Sequence, residues 1–270
     1  MGALLSKLKQ LKNDCPIGFL DSGIGGVSVL RQAVALLPNE NYFFFSDSLN
    51  NPYGDKADGE IIARCDELVG EMINERKCKA VVLACNTASA KAAAYLREKY
   101  YDVPIIAIEP AYKMVHDYAP DGFTLVMATK GTLESEKFAA LYKKYDNKNT
   151  ELLACVGMAD LIEQDRQDEL DLYLENMLGK YKGKAENVVL GCTHYPLVMQ
   201  NIKKVLGDVR FFDGANGVAR QLEQVLKREN LLCLSAEKGR IEFVDSSKDE
   251  AQRREKERRF FAVLNACYDE

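Results

Sequence analysis

Ala80-Val-Val-Leu-Ala-Cys-Asn-Thr87 and Asn187-Val-Val-Leu-Gly-Cys-Thr-His194 are two versions of one pattern. Each opens on a short apolar run and breaks on a small residue, a cysteine and polar side chains. An apolar run of this length without alternation reads as a strand covered on both faces, as in a parallel sheet. Upstream of the first lies Ile17-Gly-Phe-Leu-Asp-Ser-Gly-Ile-Gly-Gly26, and upstream of the second Thr124-Leu-Val-Met-Ala-Thr-Lys-Gly-Thr132. Both read as a strand, a turn of small residues and a helix. The chain therefore reads as a weak internal repeat, two α/β halves that each end a strand in a cysteine.

Working outward, strands are expected over residues 17–20, 42–45, 80–84, 104–108, 124–128, 152–155, 187–190 and 209–212. Amphipathic runs separate them. In 57–77, Ile61, Ile62, Cys65, Leu68, Val69, Met72 and Ile73 share one helical face, and Leu170, Tyr173, Leu174, Met177, Leu178 and Tyr181 do so later. Strand–helix alternation of this kind predicts an α/β fold with mainly parallel sheets.

The whole chain has 270 residues, enough for a sizeable core in one large or two smaller domains. Lys plus Arg is 36 against 41 Asp plus Glu, a net charge of −5, so no global basic footprint for nucleic acid exists. No apolar stretch approaches the roughly 20 residues of a membrane span. None of the eight cysteines forms a CxxC pair and only two histidines occur, which argues against a zinc site. Scattered cysteines without a secretory signal point to free thiols and a cytoplasmic location. Residues 1–14, with Leu4, Leu5, Leu8 and Leu11 at helical spacing, read as a leader helix; the apolar run is too short for a signal peptide, and Met1-Gly2 with Ser6 fits the myristoylation pattern only loosely.

In open α/β sheets ligands bind at the carboxyl ends of strands. Four polar clusters fall there: Asp21-Ser22-Gly23, Cys85-Asn86-Thr87, Thr129 to Thr132, and Cys192-Thr193-His194. The loop Pro52-Tyr53-Gly54 joins them from after the second strand. Alone, either cysteine reads as a small buried hydrophobe. As a pair in matching contexts, Cys85 and Cys192 read as two thiols facing each other across a cleft. Such a pair suits proton removal and return on opposite faces of one stereocentre. A helix start behind each thiol is expected to favour the thiolate. His194, two residues after Cys192, and Asp21, at a strand end of the first half, are natural companions that can tune or shuttle protons, although Asp21 also reads as a helix cap and His194 as a hydrogen-bonded helix-start residue. The turn Asp21-Ser-Gly-Ile-Gly-Gly26 offers backbone amides to a carboxylate or small anion, but lacks the spacing of a nucleotide loop. The charged run 246–259, leading into Phe260, Phe261, Val263 and Leu264, offers a local phosphate or nucleic-acid patch, but the interspersed Glu255 and Glu257 favour a solvated helix face.

Asp21-Ser-Gly-Ile-Gly-Gly26, Pro52-Tyr-Gly54, Ala84-Cys-Asn-Thr-Ala88, Ile108-Glu-Pro110 and Gly191-Cys-Thr-His-Tyr-Pro196 together resemble the glutamate racemases of the cofactor-independent aspartate/glutamate racemase superfamily. The motifs stand in family order over about residues 17–220. The resemblance implies two pseudo-symmetric flavodoxin-like domains with the active site in the cleft between them. By analogy the first comprises 15–110 with 215–270, and the second 111–214. It implies that Cys85 and Cys192 are the acid/base pair, the first acting on the D- and the second on the L-enantiomer. Asp21 and His194 match assisting positions. Ser22, Tyr53, Gly54, Asn86, Thr87 and Thr193 match substrate contacts, with Thr129 and Thr132 beside them, and Glu163 matches a carboxylate behind His194. Glutamate as substrate, no cofactor, a homodimer and a role in peptidoglycan synthesis are likewise implied. Two stretches depart from the family: Ser46-Asp-Ser48 replaces the frequent Gly-Asp-Thr, and Val156-Gly-Met-Ala-Asp160 follows Cys155 where Pro is common. Other readings are a sister racemase acting on aspartate or another small acid, a silent two-lobed binding module, and a thiol hydrolase.

Overall fold

A computed structural model describes residues 13–145 and 148–266. Apart from Asn13 and Asp14, the expected leader helix lies outside the described residues. The first sheet is built from β1 (Ile17–Asp21), β2 (Tyr42–Ser46), β3 (Ala80–Leu83), β4 (Ile105–Ala107) and β9 (Ile241–Asp245), in the order β4-β3-β1-β2-β9. The second comprises β5 (Thr124–Ala128), β6 (Thr150–Ala154), β7 (Asn187–Gly191) and β8 (Arg210–Phe212), in the order β6-β5-β7-β8. Every pairing is parallel. Counted within each half, both sheets run second-first-third-fourth, the flavodoxin-like order. The repeat suspected from the two cysteine motifs is thus a repeat of topology: β3 and β7 occupy the same place in their sheets.

The sheets are buried because helices cover both faces. Helix α1 (Val27–Leu36) turns its Val27, Val29, Leu30 and Ala33 onto the first sheet. Helices α2 (Asp58–Asn74) and α3 (Asn86–Lys99) cover the other face with Ile61, Cys65, Leu68, Ala88, Ala92 and Leu96. Short helices α4 (Tyr112–Tyr118), α5 (Lys130–Leu133) and α6 (Glu136–Tyr145) follow around β5. Helices α7 (Met158–Glu163), α8 (Gln167–Leu178) and α9 (Met199–Leu206) pack a second core around Met127, Val188 and Leu190. Helix α10 (Ala215–Arg228) then returns to α1, and α11 (Glu250–Asn265) closes the first sheet by burying Phe260 against Phe44 and Phe243.

All eight expected strands occur, with ends shifted by up to two residues. A ninth, β9, was not anticipated. It is an edge strand whose Ile241, Phe243 and Val244 are only half-buried, so it lacks the continuous apolar run of its neighbours. It pairs with β2 over Tyr42↔Ile241 to Ser46↔Asp245. That register explains Ser46-Asp-Ser48: both serines donate to the Asp245 carboxylate at 2.8 Å. Among the described residues no helix is long and apolar enough to cross a membrane.

Candidate active site

Both cysteine motifs lie beyond the third strand of their sheet, beside the point where strand order reverses. Ligands of open α/β sheets gather there. Cys85 is the N-cap residue of α3. Cys192 differs from expectation: it leads into a short 3-10 turn, Tyr195–Val198, with Pro196 at its start, and α9 begins only at Met199. Cys85 and Cys192 nevertheless line one cavity with Ser22, Tyr53, Thr129 and His194, closed by Asn51-Pro52 and Gly54. The Asn51–Pro52 peptide bond is cis. The free volume is about 20 Å³, close to that of a single water site.

Two side-chain relays lead away from the thiols. On the first side Cys85 Sγ donates to Ser22 Oγ at 3.6 Å, and Ser22 Oγ donates to Asp21 Oδ1 at 3.2 Å. On the second, Cys192 Sγ lies 3.8 Å from His194 Nδ1, and His194 Nε2 lies 2.8 Å from Glu163 Oε2. Thr193 ties the two together by donating to Asp21 Oδ2 at 2.9 Å. The relays differ in charge. Burial pushes the Cys85 thiol up to about 12, and the nearby Asp21 adds to the rise. The expected lowering by the helix start is therefore outweighed, because desolvation of a thiolate exceeds what a helix end returns. Burial also raises the Asp21 pKa, against the partial relief of His194 and Thr193. Burial works against an imidazolium at His194, but hydrogen bonding to Cys192 and Glu163 outweighs it and raises the pKa well above its ordinary value. Burial likewise opposes the Glu163 carboxylate, yet His194, the Ile24 amide and Lys256 hold its pKa below the usual range.

The glycine-rich turn does receive a carboxylate on its amides, but the protein's own. Ile24 N–H donates to Glu163 Oε2 at 3.0 Å. A Cβ on Gly23 would stand 2.4 Å from that oxygen, and one on Gly25 2.5 Å from His194 Nδ1. The glycines exist so that the second layer's His–Glu pair can press into the first layer's turn.

The remaining candidates fall into two groups. Asn86 is buried, yet among the described residues neither its Oδ1 nor its Nδ2 has a hydrogen-bond partner, and it lines the cavity. A buried unpaired amide is costly, so this side chain is suited to meet a polar ligand. Thr87, Thr129 and Thr132 instead satisfy one another: Thr87 Oγ1 and Thr129 Oγ1 are 2.9 Å apart, and Thr129 Oγ1 donates to Thr132 Oγ1 at 2.9 Å. Tyr53 reaches the cavity, but its hydroxyl donates to Asp47 Oδ2 at 2.6 Å. Asp47 in turn takes both Nε and Nη2 of Arg64, at 2.9 and 2.7 Å. Sequence reasoning missed Asp47 and Arg64, because nothing marks a helical arginine as the partner of a loop carboxylate seventeen positions back. It also missed the clasp of Asn51 Nδ2 on Asp160 Oδ1 at 2.8 Å, which spans the cleft. The run 246–259 is not merely solvated: Lys256 and Arg259 reach Glu163 and its helix. Among the described residues no group of His, Cys, Asp and Glu is placed to hold a metal ion.

Known proteins resemble the chain in sequence and in fold. Residues 24–222 match the sequence model of the Asp/Glu/hydantoin racemase family. Glutamate racemase from Clostridium botulinum is 41% identical over 244 residues, covering 88% of this chain and 94% of that one. The crystal structure of glutamate racemase from Francisella tularensis in complex with D-glutamate superposes with a TM-score of 0.77 at 26% identity, over 93% of this chain and 94% of that one. The structure of the Escherichia coli glutamate racemase with L-glutamate and the activator UDP-MurNAc-ala gives 0.77 at 28% identity, over 91% and 95%. With a double flavodoxin-like fold and both cysteine motifs opening on one cavity, the chain belongs to the Asp/Glu/hydantoin racemase family.

Proposed function

We propose that the chain is a glutamate racemase that interconverts L- and D-glutamate by a two-base 1,1-proton transfer. The observation that carries this reading is the pair of thiols, from equivalent places in two matching sheets, on one enclosed cavity. An amino-acid α-proton is very weakly acidic. Its removal without a cofactor requires oriented donors around the substrate carboxylate in a site that excludes water. Asn86, whose amide is otherwise unpaired among the described residues, is the first donor assigned here, together with nearby backbone amides; Ser22, Thr87 and Thr193 join it by turning their hydroxyls from Asp21 and Thr129 to the substrate. Tyr53, Gly54 and Thr129 complete the wall, and Thr132 stands behind Thr129 rather than on the cavity.

One thiol must be ionised and the other protonated, and the roles exchange with direction. Cys85 takes the proton from D-glutamate, helped through Ser22 by Asp21. Cys192 takes it from L-glutamate, helped by His194. The raised Cys85 pKa means that a thiolate there needs the positive charge of the substrate ammonium beside it. The cavity is far smaller than an amino acid, so entry requires the two layers to part along the Asn51–Asp160 clasp. The layers correspond to a domain of 15–110 with 215–270 and a domain of 111–214. A homodimer, a cytoplasmic setting and supply of D-glutamate to peptidoglycan synthesis complete the proposal.

The test is incubation of the purified chain with D-glutamate in heavy water without added cofactor. Loss of the α-proton signal together with appearance of L-glutamate is the expected result. Exchange without inversion contradicts the two-base mechanism. Inactivity on glutamate but turnover of aspartate makes the chain a sister racemase, and binding without any exchange makes it a silent module. A covalent adduct at one cysteine with stereochemistry untouched identifies a thiol hydrolase.

A further inference from the structure

Glu163 ends α7 in the second layer, and its side chain is 6% exposed. One oxygen, Oε2, is fully used by His194 and the Ile24 amide. The other, Oε1, is buried and has no hydrogen-bond partner among the described residues. Lys256 Nζ stands 3.6 Å from it. The same ammonium lies 3.9 Å from Asp245 Oδ2, itself held by Ser46. One turn further along α11, Arg259 donates to the carbonyls of Ile162 and Glu163, and its guanidinium lies 3.8 Å from Asp165. Asp160 and Asp21 are the further charges that bear on this carboxylate and its histidine. Lys256 and Arg259 stand on a helix packed against the first sheet, whereas Glu163, His194 and Cys192 belong to the second layer.

We propose that Lys256 is a positioning residue for the Cys192 half of the reaction, holding Glu163 so that Glu163 holds His194 against the thiol. This inference rests on the racemase reading above. Arg259 fixes the end of α7, and Lys256 fixes the carboxylate that emerges from it. Without the ammonium, a buried carboxylate oxygen keeps no cation of its own beyond His194, and the pair reorganises. Because these contacts join the two layers, the Cys192 base is fully assembled only when the layers meet. Among the described residues, the Cys85 relay through Ser22 and Asp21 receives no such support from α11.

The test compares the full chain with Lys256→Met, Lys256→Arg and the control Arg254→Met, whose partner Glu250 lies on the exposed face of the same helix. Racemisation has an equilibrium constant of one, so kcat/KM must fall by the same factor in both directions. A fall of about threefold to tenfold in Lys256→Met matches the scale of a partly exposed ion pair. The decisive reading uses glutamate deuterated at the α-carbon. If proton transfer at Cys192 has become the slower step, the isotope effect on kcat/KM grows from L-glutamate and shrinks toward unity from D-glutamate. Lys256→Arg restores both values, and Arg254→Met leaves them at wild type. Isotope effects that stay put, or change alike from both enantiomers, overturn the proposal.

A second readout does not depend on turnover. The sequence holds only two histidines, so nitrogen-15 histidine spectra resolve His194 against exposed His116. Lys256→Met is expected to move the His194 ring signals and leave His116 in place, with recovery in Lys256→Arg. Unmoved His194 signals overturn the proposal. A wild-type chain inactive on glutamate strikes the racemase reading instead, and the spectra still decide the role of Lys256.

Discussion

A thiol that is 5% exposed and faces a buried carboxylate resists ionisation, and Cys85 is such a thiol. In the two-base mechanism proposed above, ionisation of this thiol would depend on the charge that a ligand brings. Serine is the sharpest probe at both thiols: it keeps size and hydrogen bonding but is a far weaker acid. Cys85→Ser and Cys192→Ser are each expected to reduce turnover about 100-fold or more in both directions, the scale of losing a positioned acid or base. Steady-state racemisation by circular dichroism checks this, and near-normal rates in either variant remove that thiol from the mechanism. The two motifs and the identity of every cavity-lining residue named from the sequence were legible because small and polar residues interrupt apolar strands at fixed places. The protonation balance was not. It depends on burial and on Asp21 approaching from another strand, neither of which a linear pattern contains.

The loop after β2 shows how an element is held in shape by a residue outside it. Asp47 is buried, and burial alone would raise its pKa. Hydrogen bonds from Arg64, Tyr53 and Asn50 outweigh that and hold the pKa low. The stabilisation is thus complete above the ordinary carboxylate range and is lost as pH falls through the depressed pKa. Arg64→Met leaves Asp47 buried with its strongest partner gone. We expect a loss of about 1–3 kcal/mol at neutral pH, discounted because Arg64 is one-quarter exposed. Thermal melts should show the deficit at pH 7 shrinking toward acid, where Asp47 becomes protonated in both proteins. A deficit independent of pH assigns the loss to packing of the Arg64 stem instead. The helix 58–74 that carries Arg64 was readable from its apolar face, as the expectation over 57–77 shows. Its task was not, since Arg64 sits on the polar face, where charge ordinarily means solvent.

At the scale of the whole molecule, the two layers meet through few but specific polar contacts. Asn51 clasps Asp160, Ser28 Oγ donates to the Thr193 carbonyl at 3.2 Å, and Thr193 donates to Asp21. Each joins the half built on one sheet to the half built on the other. Loosening the outermost contact should favour the parted form without touching the thiols. Asn51→Ala is expected to raise KM for both enantiomers about threefold to tenfold, with a smaller change in kcat. Initial-rate measurements in both directions check it. An unchanged KM places the closing force deeper, at Thr193 and Glu163.

Taken alone, the sequence determined the α/β class, eight of the nine strands, the duplicated cysteine motif and the family resemblance. Those features are local: unbroken apolar runs, helical periodicity and small residues at strand ends. Only the tertiary structure decided that β9 pairs at the edge, that Ser46 and Ser48 serve Asp245, and that the glycine turn accepts Glu163. The charged run 246–259 makes the contrast plain. Its alternating signs read as a solvated helix, and most of it is exposed. Lys256 and Arg259 gain a task only because α11 crosses from the first sheet to α7, a contact between residues some ninety positions apart. Pattern reports which face a residue takes within its own element; what stands opposite that face is settled by how the elements pack.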